Sequence, residues 1–245
     1  MKLWQKLALV TLAVVLIGGA RVYFVWKSRQ NPGTVAQHGT EAKPLTQDEL
    51  AVMKQYYFAS FDQAKQLEGT KVWIKAGYSL PYYPYADGHV EFAKRVGELP
   101  SAEQLSITKL IKAVAPAKED NRVPHGSRQY FAVFTLAGGN DAKPGIYAAP
   151  IGYAEGDNET LYCDQLFYYD DPRKIYDNWP QPVWDAVAAH QPKVGMTENQ
   201  ARMAVGILME SDSQTQGDRT VTYHAGDKTW TVTFAHGVAT QVKQG

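Results

Sequence analysis

The first part of the chain is its most apolar part. Between Leu3 and Trp26 the sequence is almost entirely apolar, and a helix of this length, at about 1.5 Å per residue, covers the ~30 Å of a bilayer interior. The pattern predicts a signal anchor in residues 1–30: a single-pass transmembrane helix with the C-terminal domain on the extracytoplasmic side. The shorter apolar core from Leu7 to Ala20 is also typical of a cleaved signal peptide, which is the alternative.

A linker and a long helix are predicted next. Residues 31–45 contain two prolines and two glycines and few apolar residues, which predicts a flexible linker. Thr46, followed three residues later by Glu49, has the form of a capping box. Apolar side chains then recur at helical spacing, so we expect a helix from Gln47 to about Leu67.

The spacing of apolar residues changes to a period of two after Gly69. Val72 and Ile74 alternate with Trp73 and Lys75, and further short apolar runs follow, separated by turn residues. Several short strands at close spacing favour a small antiparallel barrel or sandwich. We therefore expect residues 46–190 to form one helix followed by a β-rich domain.

The last part of the chain, residues 191–245, has the pattern of a separate domain. Thr197 and Gln200 form a second capping-box pattern at the start of a predicted helix. Three strand signals follow, and in the middle one Trp230, Val232 and Phe234 alternate with threonines. The predicted fold class is therefore α+β, with a transmembrane helix, a β-rich middle domain and a C-terminal helix plus three-stranded antiparallel meander.

Charge and cysteine content narrow the range of partners. The formal net charge is zero, but the first thirty residues carry five basic and no acidic residues, so the remainder has 20 basic and 25 acidic residues. A mildly acidic domain argues against nucleic-acid binding, which requires a basic surface. Cys163 is the single cysteine, so it cannot form an internal disulfide. Its strand-like surroundings favour a buried thiol, and a disulfide with another chain is the alternative.

The chain carries no recognisable catalytic motif, and we expect neither a cofactor nor a metal site. His224 and His236 flank one predicted strand, but a metal site needs three or four ligands. Asp164, Asp170 and Asp171 could do acid–base chemistry or bind calcium, although an Asp-Pro pair also starts turns. We therefore predict that the protein is not an enzyme.

Aromatic side chains are the predicted contact residues. Two runs are interrupted by prolines, which excludes regular central strands, and exposed aromatic rings bind protein or glycan surfaces at low entropic cost. The predicted binding residues are Tyr82, Tyr83, Tyr85, Trp179, Trp184, Tyr223 and Trp230.

The C-terminal region also carries a short motif followed by strand patterns. The residues concerned are Val194-Gly195-Met196-Thr197, Gln200, Val221-Thr222-Tyr223, Trp230-Thr231-Val232-Thr233-Phe234 and Gly237-Val238. They resemble the SmpA/OmlA family of outer-membrane assembly proteins, and the resemblance implies a helix pair on a three-stranded sheet that binds proteins without catalysis. Two departures are Val205-Gly206-Ile207-Leu208, where the family has Leu-Gly-x-Pro, and the lack of a lipidation cysteine. The segment Gly69 to Gly77 resembles bacterial SH3-like barrels.

Together these patterns predict a non-catalytic, membrane-anchored envelope protein. Its expected partners are the membrane, through residues 3–26, and other envelope or membrane-assembly proteins. One alternative is a cell-wall glycan-binding module, which would contact peptidoglycan through the tyrosines of the middle domain. A second alternative is an exported hydrolase that uses Asp164, Asp170 or Asp171 with a histidine.

Overall fold

The computed structural model describes residues 18–23, 26–27, 48, 50–75, 80–114, 116, 128–137, 145–225 and 228–245. The contacts divide the chain into two compact units, Met1–Thr46 and Gln47–Gly245.

The predicted transmembrane helix is wrong. Residues 18–23 and 26–27 are helical. In the part of the chain that the structure describes, no helix is long and apolar enough to cross a membrane. This finding overturns the predicted signal anchor and the single-pass membrane localisation. Residues 3–17, and the linker predicted at 31–45, lie outside the described residues.

The second unit is rich in β-strands. Its described strands are Lys71–Ile74 (β1), Leu80–Ala86 (β2), His89–Val90 (β3), Gly97–Leu99 (β4), Gln104–Ala113 (β5), Arg128–Leu136 (β6), Tyr147–Glu155 (β7), Asn158–Leu161 (β8), Phe167–Tyr168 (β9), Met209–Ser211 (β10), Thr220–Ala225 (β11), Lys228–Ala235 (β12) and Val238–Gln244 (β13). Its α-helices are Phe61–Ala64, Cys163–Leu166, Pro172–Ile175, Gln181–Ala188 and Glu198–Val205, and its 3₁₀ helices are Lys65–Leu67 and Phe92–Lys94.

The long helix predicted from Gln47 to Leu67 is also wrong. Residues 51–59 adopt no regular structure, and the helix begins only at Phe61. The amide groups of Tyr56 and Tyr57 donate to the carboxylate of Asp164, more than 100 residues away, instead of to carbonyls one helical turn earlier. A tertiary contact therefore replaces the helical hydrogen bonds that the local pattern predicts.

Within the described residues, the larger of two antiparallel sheets has nine strands. Seven of them follow the order β3-β2-β7-β6-β5-β1-β9, with β4 paired to β2 and β8 paired to β7. Among the described strands this path has two separate ends, β3 and β9, so the predicted SH3-like or small barrel is wrong. The long strands β5, β6 and β7 lie side by side, and they make a broad open sheet rather than a closed small one.

Strand β6 is buried on both faces of this sheet. Tyr130, Ala132 and Phe134 belong to one hydrophobic cluster, whereas Phe131 and Val133 belong to another on the opposite face. Successive side chains of a strand point to opposite faces, so this continuous apolar run marks a central strand.

The second sheet has four strands in the order β10-β11-β12-β13. The sequence predicted a three-stranded meander and missed the fourth strand, β10. Residues Met209 to Ser211 of β10 pair with β11. Trp230, Val232 and Phe234 are buried, and the threonines between them are half-buried.

The helices Gln181–Ala188 and Glu198–Val205 pack on this second sheet. One hydrophobic cluster contains Trp184 from the first helix, Ala204 from the second and Tyr223 from the sheet. Residues on both sides of position 190, where two domains were predicted to meet, thus share one core.

Candidate functional site

Most of the aromatic residues predicted to make contacts are core residues. Trp179, for example, lies between Tyr176 and Trp184, with ring centroids 4.4 and 5.1 Å away. The predicted residues are distributed over the two sheets, so they do not form one surface. Those buried are Tyr83, Trp179, Trp184, Tyr223 and Trp230, and those half-buried are Tyr82 and Tyr85.

The acidic residues singled out in the sequence have separate structural roles. Asp171 caps the helix Pro172–Ile175 by accepting a hydrogen bond from the Arg173 amide at 2.9 Å. Asp170 is exposed, and Asp164 binds the backbone of a distant segment. Across the described ranges, no group of three or more His, Cys, Asp or Glu side chains could hold a metal ion.

Cys163 is buried, and burial raises the pKa of its thiol to about 12. Such a thiol stays protonated near neutral pH and is a poor nucleophile. It belongs to the hydrophobic cluster against which Phe58 and Tyr169 pack.

The segment that the sequence predicted as a helix is the most unusual surface feature of the molecule. We call residues 50–60 the strap. Residues 51–59 have no regular structure, and Tyr57 has a positive φ of 53°, which is uncommon for a residue other than glycine. The strap passes over the surface of the unit and is attached to it at several points.

Asp164 provides the central attachment of the strap. Its Oδ1 accepts a hydrogen bond from the Tyr56 amide at 2.9 Å, and its Oδ2 accepts one from the Tyr57 amide at 2.8 Å. Each oxygen of one carboxylate thus binds one of two consecutive backbone amides. The aromatic rings add to this contact, because Tyr169 packs edge-on against Tyr56 at 4.6 Å and against Phe58 at 6.5 Å.

Lys75, the residue that follows strand β1, binds the backbone of Asp164. Its Nζ donates a hydrogen bond to the backbone oxygen of Asp164 at 2.5 Å and lies 5.4 Å from the centroid of the Tyr168 ring. Burial lowers the pKa of Lys75. The helix Cys163–Leu166 is thereby tied to the large sheet, which positions the carboxylate of Asp164 towards the strap.

The C-terminal end of the strap is attached through Glu159. Its carboxylate accepts hydrogen bonds from the Phe61 amide at 2.7 Å and from the Tyr130 hydroxyl. Lys112 lies 3.7 Å from the same carboxylate and 4.7 Å from the centre of the Phe61 ring. The hydrogen bonds from Tyr130 and Phe61 lower the pKa of Glu159, so it is ionised at neutral pH.

Just before the strap, Asp48 makes a further attachment. Its Oδ1 accepts hydrogen bonds from the Trp179 ring nitrogen at 2.7 Å and from the Asn178 side-chain amide at 3.2 Å. Trp179 belongs to the cluster under the second sheet, whereas Phe58 packs against the cluster under the large sheet. The strap therefore connects the two cores on the outside of the unit.

The outer face of the strap carries exposed apolar side chains. Val52 is 89 % exposed, Tyr57 is 77 % exposed and Leu50 is 59 % exposed. Apolar side chains are scattered singly on most protein surfaces, but several on one short segment indicate a contact surface.

A second polar centre lies inside the C-terminal part of the unit. Glu198, only 2 % exposed, binds Arg202 at 2.6 Å, the Gly217 amide at 3.1 Å and the guanidinium of Arg219 through both oxygens. Burial raises the pKa of Glu198, but the hydrogen bonds from Arg219 and Gly217 outweigh burial and leave this pKa below its usual value. The network ties the loop after β10 to the helix Glu198–Val205, and it is a structural centre.

Sequence reasoning missed the strap because Leu50, Met53, Tyr57 and Phe61 do have helical spacing. One local signal does point away from a long helix: Ser60, three residues before Gln63, is a good helix N-cap. The structure uses it in this way, with the Gln63 amide 3.3 Å from the Ser60 hydroxyl. The partner carboxylate, Asp164, could not be found from local sequence.

No family model matches this chain, and no curated protein or solved structure matches it. The resemblance of residues 193–242 to the SmpA/OmlA family therefore stays a prediction from the sequence.

Proposed function

We propose that this protein is a non-catalytic binding protein that contacts another protein through the outer face of the strap. The observation that carries the proposal is the set of exposed apolar side chains on a backbone that carboxylates hold in place. The predicted partner class, an envelope or membrane-assembly protein, remains part of the proposal.

A segment held in this way suits binding for an energetic reason. Ordering a free loop on binding costs free energy, and a backbone that is already held avoids much of that cost. Burying Val52, Leu50 and Tyr57 against a partner would gain about 25 cal/mol for each Å² of apolar surface removed from water.

No specific observation among the described residues supports the two alternatives, glycan binding and hydrolysis. Glycan binding was predicted through Tyr82, Tyr83 and Tyr85, of which Tyr83 is fully buried. Hydrolysis was predicted through an acidic cluster, whose members Asp164 and Asp171 bind backbone amides.

Site-specific crosslinking tests the proposal. A photoreactive residue placed at position 52 should form reproducible crosslinks to one or two proteins in cells. The double variant Val52→Ser, Tyr57→Asn should lose co-purification of those proteins, and asparagine is chosen because it tolerates the positive φ at position 57.

The matched control is Val96→Ser, at a position 47 % exposed and outside the strap. This variant should keep the partners, and both proteins should unfold at the wild-type denaturant midpoint. Unchanged partners in the strap variant would refute the proposal, as would an equal loss in the control.

A further inference from the structure

We propose that the strap exchanges between two copies of this chain, so that the strap of one copy binds on the Asp164–Tyr169 surface of the other. The proposal uses the inner face of the strap and does not rest on the proposed function, which uses the outer face.

The surface beneath the strap has the features of a peptide-binding site. The Asp164 carboxylate accepts two consecutive backbone amides, which selects a backbone bent at Tyr57, where φ is 53°, without regard to its side chains. The Tyr169 ring contacts aromatic side chains two residues apart, Tyr56 and Phe58. The ring nitrogen of Trp179 donates a hydrogen bond to the carboxylate of Asp48, which lies eight residues before Tyr56 in the chain.

A second copy of the chain is the occupant that matches these requirements. It carries the same acidic residue, the same aromatic pair and the same spacing, and every contact made within one chain can be made between two. Exchange of an identical element leaves the local contacts unchanged, which makes it a low-cost route to a dimer.

The strap can leave its surface without disrupting either sheet. Its described backbone forms no strand pairing, and its attachments are side-chain contacts near the surface. Tyr57 is held at a φ of 53°, a conformation that a non-glycine residue leaves readily when it is released.

Cys163 supplies a reporter of opening. The thiol is buried in the cluster on which Phe58 and Tyr169 pack, and burial raises its pKa to about 12. When the strap leaves, water reaches this region and the thiol reacts faster with a disulfide reagent.

Two complementary variants of the full chain test the exchange. The strap variant, Tyr56→Asp with Phe58→Asp, cannot bind the surface, and the surface variant, Asp164→Lys, cannot hold a strap. Each alone should be monomeric in analytical ultracentrifugation, with a fast-reacting Cys163. An equimolar mixture should contain a species of twice the mass, and Cys163 of the strap variant should become protected as concentration rises.

The control is Val96→Asp, which adds a charge at a position that is 47 % exposed and outside the strap, and it should leave mass and thiol rate at wild-type values. If Asp164→Lys does not fold, Asp164→Ala serves as the surface variant. A mixture whose mass and thiol rate equal the average of its components would overturn the proposal. Protection by a free peptide of residues 48–61 without protection by the surface variant would also overturn it, because the surface would then bind free peptides without exchange between copies.

Discussion

Two carboxylates tie distant segments of this protein together in very different surroundings. Glu198 is 2 % exposed and binds two guanidinium groups and a backbone amide. Asp164 is half-buried and binds two amides of an exposed segment. The chemistry is the same, a carboxylate that accepts hydrogen bonds from remote donors, and burial is what differs.

Burial decides what happens when such a contact is lost. If the carboxylate of Glu198 is removed, the buried charge of Arg219 has no compensation, and breaking a buried pair in this way costs about 3–5 kcal/mol. If Asp164 is removed, water can take its place at the amides of the strap, and the rest of the unit keeps its core. We therefore expect global unfolding from the first and local opening from the second.

The largest expected effect tests the buried contact. Glu198→Gln should lower the free energy of unfolding by about 3 kcal/mol, because it leaves Arg219 buried without a counter-charge. Chemical denaturation of the two proteins measures the difference. Glu210→Gln is the control, since that side chain is 84 % exposed, and it should change stability by less than about 0.5 kcal/mol. Equal stabilities for the two variants would contradict the comparison.

The next effect concerns the exposed contact. Asp164→Ala should lower global stability by only about 1 kcal/mol while raising the reaction rate of the Cys163 thiol about tenfold, because loss of two hydrogen bonds favours local opening. Thiol kinetics under native conditions and denaturation of the same samples measure both quantities. Asp177→Ala, at an exposed position of the same charge, should change neither. If the Cys163 reaction rate changes only in proportion to global stability in Asp164→Ala and Asp177→Ala, the result would argue against local opening.

Acidic pH should remove the contribution that the Glu159 carboxylate makes to the stability of the folded protein. The pKa of Glu159 is lowered in the folded protein, so its contribution to stability is present above the unfolded value of 4.5 and disappears as pH falls through the lower folded value. Wild type should be more stable than Glu159→Gln at pH 7, and the difference in stability should narrow as pH falls below the unfolded pKa of 4.5. Unfolding curves at several pH values test this, and a difference that widens on acidification would reverse the assigned sign.

The smallest effect is expected for a contact within the strap. Lys54 lies 4.7 Å from the centre of the Tyr56 ring, and both residues belong to the same segment. Lys54→Ala should therefore leave the denaturation midpoint and the Cys163 thiol rate unchanged. A faster thiol reaction would mean that contacts internal to the strap also hold it on the surface.

The regular alternation of the C-terminal strands could be read from the sequence. Trp230, Val232 and Phe234 occupy one face of β12 because side chains alternate along any strand, whatever it pairs with. The presence of β10 could not be predicted in the same way, since a strand of three residues has too short a pattern. Its pairing with β11 depends on a register between separate parts of the chain.

The candidate site was the least predictable part. Aromatic residues such as Tyr83 and Trp179 were expected on the surface, yet both are buried, because an aromatic side chain suits a core and a contact surface equally well. Asp164 was a candidate for acid–base chemistry only in the hydrolase alternative, and in the structure it holds the strap. Residue type alone does not distinguish these roles, which depend on what lies opposite.

By itself, the sequence determined the local features: the strand alternation of β12 and the capping box of Thr197 and Gln200. These depend on neighbours a few residues apart. Only the tertiary structure decided the order of the nine described strands, the open sheet and the irregular strap. The physical reason is that Tyr56 and Tyr57 can satisfy their amides either one helical turn away or on Asp164, and only the folded chain places that carboxylate within reach.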